Sequence, residues 1–163
     1  MSQNESKNKQ EEEFYSSKLF LNAVLPLLKY ISADESKLKE KWKGVNTICQ
    51  VSCRTEAAVD GIHFFIEDGE WTVKRGCYEE KPDVELQFKS REHLSNFFKG
   101  KALPLPKLKG VVSHFGVFAK FFSTLMSMAS LLGNTEPPDD EEEQVLLTKC
   151  MFYLLSTGIS TLN

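Results

Sequence analysis

In several runs between residues 48 and 88 apolar side chains recur at every second position, whereas in segments before and after that span they recur three and four apart. A period of two puts alternate residues on opposite faces of a strand, and a period near 3.6 keeps them on one side of a helix. The chain is therefore expected to build an α+β fold, a sheet with helices before and after it. Cys49, Val51, Cys53 and Ala57 alternate with Gln50, Ser52, Arg54 and Glu56, and Ile62, Phe64 and Ile66 alternate with His63, Phe65 and Glu67. Asp60-Gly61 and Asp68-Gly69 have the chemistry of tight hairpin turns, whose positive backbone angles suit Asp and Gly. Trp71 and Val73 begin a third strand. In the fourth, Val84, Leu86 and Phe88 point one way and Asp83, Glu85, Gln87 and Lys89 the other, so one sheet face is expected to be dry and the other wet.

The flanking segments read as helices. Residues 1–12 are polar and expected to be disordered; Phe14, Leu21, Val24, Leu25 and Leu28 then mark an amphipathic helix that Pro26 bends or interrupts. Ser32-Ala33-Asp34-Glu35 reads as the cap of a second short helix through Lys41, stopped by Gly44. Ser90 caps a helix carrying Leu94, Phe97 and Phe98 and ending at Gly100, and Leu105–Val112 reads as a fifth strand with Lys107 and Lys109 on its wet side. A long helix spans His114 to Leu132. After Gly133-Asn134 and Pro137-Pro138, six acids between residues 136 and 143 introduce a last helix from Glu141 to Ser160, where negative charge favours the helix N-terminus. The expected organisation is a tail over 1–12, an N-terminal helical extension over 13–43 and a domain over 44–163 that includes the C-terminal helix. A chain of 163 residues suits one hydrophobic core.

Several function classes are set aside by what the sequence contains. With 41% hydrophobic and 26% charged residues the chain has enough apolar material to fold and too much charge for a multi-span membrane protein. Residues 44–135 hold eleven basic and ten acidic side chains, a poor electrostatic footprint for nucleic acid. The first thirteen residues lack the apolar stretch of a secretory signal, so a cytoplasmic location is expected, with Cys49, Cys53, Cys77 and Cys150 as thiols. Cys49 and Cys53 read as small core residues on one strand face. His63, His93 and His114 are scattered, without HExxH or paired CxxC spacing, so no metal is expected. Ser36-Lys37-Leu38-Lys39 fits SxxK only within a lysine-rich surface stretch, and Glu67, Asp68 and Glu70 cluster at a solvated hairpin tip. No catalytic residue and no cofactor are assigned, and the chain is read as non-enzymatic.

The segment His114–Gly133, HFGVFAKFFSTLMSMASLLG, carries the functional information. Phe115, Phe118, Phe121 and Phe122 are followed by Leu125, Met126, Met128, Leu131 and Leu132, so the helix is apolar on more than one face. Lys120 in its middle and Ser123, Thr124, Ser127 and Ser130 argue against a membrane span. Most of these residues suit a core helix over the sheet. Flexible thioethers and aromatic rings also suit a cavity that accepts a variable apolar guest.

The run from about Ile48 to Leu132, roughly half of the chain, resembles a sterol carrier protein type 2 (SCP-2) domain. The resemblance is carried by Asp68-Gly69-Glu70-Trp71, by Lys81-Pro82-Asp83-Val84-Glu85-Leu86, by Ser90 with Leu94 and Phe97-Phe98-Lys99-Gly100-Lys101, and by Leu108-Lys109-Gly110. It implies a five-stranded, mostly antiparallel sheet with helices over one face and an apolar tunnel between them for sterol, fatty acid, acyl-CoA or another lipid. Carried onto this sequence, Phe97 and Leu108 would form walls and Phe115, Phe118, Phe122, Leu125 and Met126 the movable side. Lys99, Lys101, Lys107 and Lys109 are the densest basic cluster for an anionic head group. The N- and C-terminal helices depart from the simple family pattern and would close the tunnel or form a homodimer, and contact with a membrane would be transient. The alternative expectation is an interaction or dimerisation module with the same fold and a collapsed cavity.

Overall fold

The structure, a computed structural model, describes residues 3–34, 36–55, 58–98, 105–133 and 141–162. Helix α1 (Gln3–Leu19) runs into a π-helical turn (Phe20–Val24), then α2 (Leu27–Asp34) and α3 (Ser36–Trp42). Strands β1 (Asn46–Arg54), β2 (Val59–Glu67), β3 (Glu70–Arg75) and β4 (Val84–Phe88) lead to α4 (Arg91–Phe98), β5 (Lys107–Lys109), α5 (Phe115–Gly133) and α6 (Glu141–Leu162). The sheet order is β3-β2-β1-β4-β5, with β1 and β4 parallel and the other three pairs antiparallel. The expected α+β class and mostly antiparallel sheet are what the chain forms.

Register places the core. Ile62, Val51, Leu86 and Leu108 form one row across β2, β1, β4 and β5 on the face beneath the helices. Cys49, Phe64 and Val84 form the next row, and Cys53 and Phe88 a third. All of these except Leu108 are buried. Rings of Trp42, Phe64, Trp71 and Phe121 interlock above them, with centroids 5.1–6.3 Å apart. Leu21, Leu25, Leu27, Leu28, Ile31, Leu38 and Trp42, from the N-terminal helices, belong to this same core.

The helical layer is pinned at its ends. Arg91 donates to Ser17 at 3.0 Å and to Asp60 at 2.7 Å and lies over the Phe14 ring, tying α1, α4 and β2 together. Phe20 stacks on Phe98 at 4.8 Å, and Tyr30 meets Tyr153 of α6 at 4.8 Å. At the other end the β2–β3 hairpin tip docks under α3: Asp68 accepts from the Gly44 amide at 2.7 Å, and Lys39 pairs with Glu70.

Five sequence expectations change in detail. Residues 3–12, expected to be disordered, lie in α1; their Glu, Gln and Lys content favours helix without giving any apolar periodicity to read. Ser32 is inside α2, its hydroxyl donating back to the Lys29 carbonyl, and the next helix starts at Ser36. Pro26 does interrupt the first helix, through a π-helical turn in which the Leu25 amide reaches the Phe20 carbonyl. The β1–β2 turn falls at Thr55–Ala58, closed by the Thr55 amide on the Ala58 carbonyl, and Asp60-Gly61 lies within β2 opposite Cys53 and Ser52. The fifth strand is only three residues long. The Asp68-Gly69 turn is as expected, with φ of 48° and 86°. Ser90 caps α4 through the His93 amide at 3.1 Å. The expected stops at Gly100 and Asn134 and the acids before Glu141 lie outside the described residues.

The wet face of the sheet is the fifth correction. Gln50, Ser52, His63, Glu85 and Gln87 share that face and are all buried, because the segment from Gly76 to Asp83 crosses it as a strap. The Tyr78 amide donates to Gln50 at 2.6 Å, and the His63 ring bonds the Gly76 carbonyl at 2.8 Å. A Cβ at position 61 would stand 2.7 Å from Cys77 Sγ, so the glycine gives the strap room to close.

Candidate functional site

Helix α5 has two apolar sides. At 100° per residue Val117, Phe121, Thr124, Leu125 and Met128 share one stripe. That stripe meets the core, with Phe121 between Phe64 and Trp71 and the Trp42 indole donating to Thr124 at 3.1 Å. Phe115, Phe118, Phe122 and Met126 make the adjoining stripe. Phe115 is 68% exposed and Met126 51%, while Phe118 and Phe122 are half-buried and stack on each other at 5.9 Å. Opposite that second stripe lies the polar side, Lys120, Ser123 and Ser127, where Lys41 bonds Ser123 at 2.6 Å.

The residues expected to form a ligand site are thus distributed as follows. Four of them, Phe115, Phe118, Phe122 and Met126, share the second stripe of α5, where Phe118 also packs against the edge of the core. Leu125 is a core residue, 2% exposed. Phe97 packs from α4 onto Phe88 at 5.2 Å and Phe98 at 5.5 Å. Leu108, one third exposed, ends the apolar row at the sheet edge beside buried Leu86. Between the sheet and the core stripe of α5 stand the four interlocked rings.

The lysines part company. Lys109 is committed to Glu85 at 2.7 Å across the strapped face, and Lys107 is exposed beside it. Lys99 and Lys101 lie outside the described residues. Burial alone would raise the Glu85 pKa; hydrogen bonds from Lys109, Ser52 and Gln50, with the lysine charge, outweigh it and hold the carboxyl below its ordinary value. This network was not legible in the sequence, because strand alternation assigns a face without saying what covers it.

Burial pushes the Cys53 thiol up to about 11 and raises Cys49 and Cys77 too. Such thiols are protonated at neutral pH and are weak nucleophiles. A cleft of about 220 Å³ opens between the π-helical turn and the start of β2, with Lys18, Asp60 and Arg91 in its walls. It shares no residue with the apolar set, is smaller than usual ligand pockets and carries charge where a lipid tail would need none. The Trp71 indole N–H and the Ser95 hydroxyl are buried without an acceptor or donor among the described residues.

The arrangement of sheet and helices matches solved structures. A crystal structure of sterol carrier protein 2 superposes with a TM-score of 0.50 at 10% identity, covering 68% of this chain and 94% of that one. The chain has an SCP-2-like fold. The sterol carrier protein domain 2 of Helicoverpa armigera, a solution structure, aligns over 69% of this chain and 87% of its own at 23% identity and TM-score 0.48. Sterol carrier protein 2 of Yarrowia lipolytica, apo form, aligns over 61% and 86% at 18% identity and TM-score 0.43. No protein-family model matches the sequence, and no curated protein matches it. The likeness is one of fold.

Proposed function

We propose that this protein is a non-enzymatic carrier or sensor that binds the apolar part of a lipid, such as a fatty acid, sterol or acyl-CoA, against α5. The observation that carries the reading is the second apolar stripe, in which Phe115 and Met126 are more than half exposed and Phe122 is half-buried beside Phe118 at the edge of the core, on a helix whose first stripe already meets that core. A surface helix needs one apolar stripe to dock, and a second one calls for an occupant. The SCP-2-like fold supports a lipid as that occupant. Phe97 and Leu108 are the walls toward which the tail would extend, with α5 shifting on the sheet to deepen the site. The orphan Trp71 N–H beside Phe121 would gain an acceptor from a ligand's polar end if α5 lifted.

The energetics are adequate. Burying a long acyl chain yields about 0.8 kcal/mol per methylene, on the order of 10 kcal/mol in all before several are lost to immobilisation. Micromolar binding then needs no dedicated polar anchor, and selectivity among tails is poor.

The test is displacement of a fluorescent fatty acid in vesicle-free solution, together with mass spectrometry of lipid extracted from natively purified protein. Wild type is expected to bind, and Met126→Glu, which hardly changes helix propensity, to lose about tenfold or more in affinity, roughly 1.4 kcal/mol, with its melting temperature unchanged. Equal affinity in both proteins, or no binding in either, would sink the reading.

A second reading is favoured by α6. Val145, Met151, Phe152 and Leu155 are each at least half exposed on the side away from Cys150, Tyr153 and Leu154, which meet the core. That outer face suits a homodimer through the terminal helices. Phe152→Lys would then convert a dimer to a monomer in light scattering without changing lipid affinity; a monomer in both proteins excludes it.

A further inference from the structure

From His93 to Thr135 the sequence holds five lysines and no Asp or Glu, so all twenty-three acids of a chain with net charge −3 lie elsewhere. The same stretch contains the most exposed apolar side chains near the sheet edge. Val112 is 100% exposed, Phe115 68% and Leu105 67%. Val112 stands at the tip of the turn between β5 and α5, and that turn is rigid. Gly110 has φ +76°, and a Cβ there would lie 1.7 Å from the Asp83 carbonyl oxygen, so its backbone presses on the preceding segment. The His114 amide closes the turn on the Gly110 carbonyl at 2.9 Å. Two acids near the turn are engaged: Asp83, its side chain 37% exposed, accepts from Thr47 and the Ile48 amide and lies 3.8 Å from the His114 ring, and Glu85 is held by Lys109, Ser52 and Gln50.

We infer that the β5–α5 corner docks the protein on an anionic lipid bilayer, with Val112 and Phe115 entering the interface and Lys107 reaching the head groups. Apolar residues at separate points on a rigid corner make no pocket for a complementary protein surface, but a bilayer requires depth and not shape. An acid-free segment bearing lysines adds attraction to anionic lipid, about fivefold in affinity per charge near the surface, and screens away with salt. The corner adjoins the second stripe of α5 through Phe115, so docking there would present that stripe to the membrane's own lipids. This role rests on the ligand reading; the docking itself does not.

Flotation with phosphatidylcholine vesicles, with and without phosphatidylserine, tests it on the full chain. Wild type is expected to float with the anionic vesicles, less so at high salt, and poorly with the neutral ones. Val112→Asp, at a fully exposed position, is expected to lose tenfold or more, and Lys107→Ala about fivefold. Val59→Asp, at an exposed apolar site outside the acid-free stretch, serves as the control and keeps wild-type binding. No flotation of wild type, or equal loss in Val59→Asp and Val112→Asp, overturns the inference and gives the corner to a protein partner or to none. Fatty-acid binding without vesicles is measured on the same proteins: its retention in Val112→Asp separates loss of docking from loss of the ligand site.

Discussion

Glu85 illustrates what a single residue's neighbours decide. In the sequence it is one of the polar residues alternating with Val84, Leu86 and Phe88, and the alternation correctly assigns its face. The strap from Gly76 to Asp83 has no periodicity, so nothing in the sequence reveals that this face is covered and the carboxylate enclosed. Its folded pKa lies below the ordinary value, here 4.5, so the folded state binds its proton more weakly than the unfolded chain. The resulting stabilisation is complete above the ordinary value and disappears as pH falls through the lowered folded one. Glu85→Gln is expected to lose about 2 kcal/mol at neutral pH and to show a smaller further loss than wild type on acidification below 4.5. Urea denaturation across that range measures it; parallel curves for the two proteins would remove Glu85 from the acid response. Cys49 and Cys53, by contrast, were fully legible, since small side chains at alternate positions of an apolar strand are core residues wherever the strand goes.

At the scale of elements, periodicity reveals an element where one of its faces is buried and misleads where a residue type serves an unexpected purpose. Helix α5 was visible as apolar on more than one face because Phe and Met fall on two adjacent stripes. Which stripe meets the core required the positions of Trp42, Phe64 and Trp71, supplied by α3, β2 and β3. Phe121→Ala is therefore expected to destabilise the fold by about 3–5 kcal/mol, while Met126→Glu leaves the melting temperature in place; comparable losses would mean that α5 has a single buried face. Asp60-Gly61 has the chemistry of a turn, yet Gly61 is in β2 for a different reason, the 2.7 Å approach of Cys77 to where a Cβ would stand. Gly61→Ala also meets the Val51 carbonyl oxygen at 3.1 Å and is expected to cost about 1–3 kcal/mol. Chemical denaturation tests this, and the double variant Gly61→Ala with Cys77→Ser is not expected to restore the loss, since the backbone contact remains.

For the whole molecule the decisive quantity is how the core is shared along the chain. The sequence divides at about residue 43, where the period changes from helical to extended, and the helices before it look separable. Among the described residues, eight buried apolar ones nevertheless come from that front part: Leu21, Ala23, Leu25, Leu27, Leu28, Ile31, Leu38 and Trp42. Trp42 packs edge-on against Trp71 and donates to Thr124, so it joins the front helices to both β3 and α5. Burial is worth about 1.5–3 kcal/mol for a large apolar side chain, so the front helices contribute on the order of 10 kcal/mol or more before entropy is subtracted. Whole domains retain only about 5–15 kcal/mol. A chain starting at residue 44 should therefore lose cooperative folding, beyond losing any dimer: near-UV circular dichroism is expected to flatten and the thermal transition to broaden. A sharp transition within a few degrees of the full chain would instead make residues 1–43 a removable cover. In that case the rings beneath α5 would be exposed by the truncation, and lipid affinity should rise. Measuring both properties on one protein therefore distinguishes a shared core from a covered site.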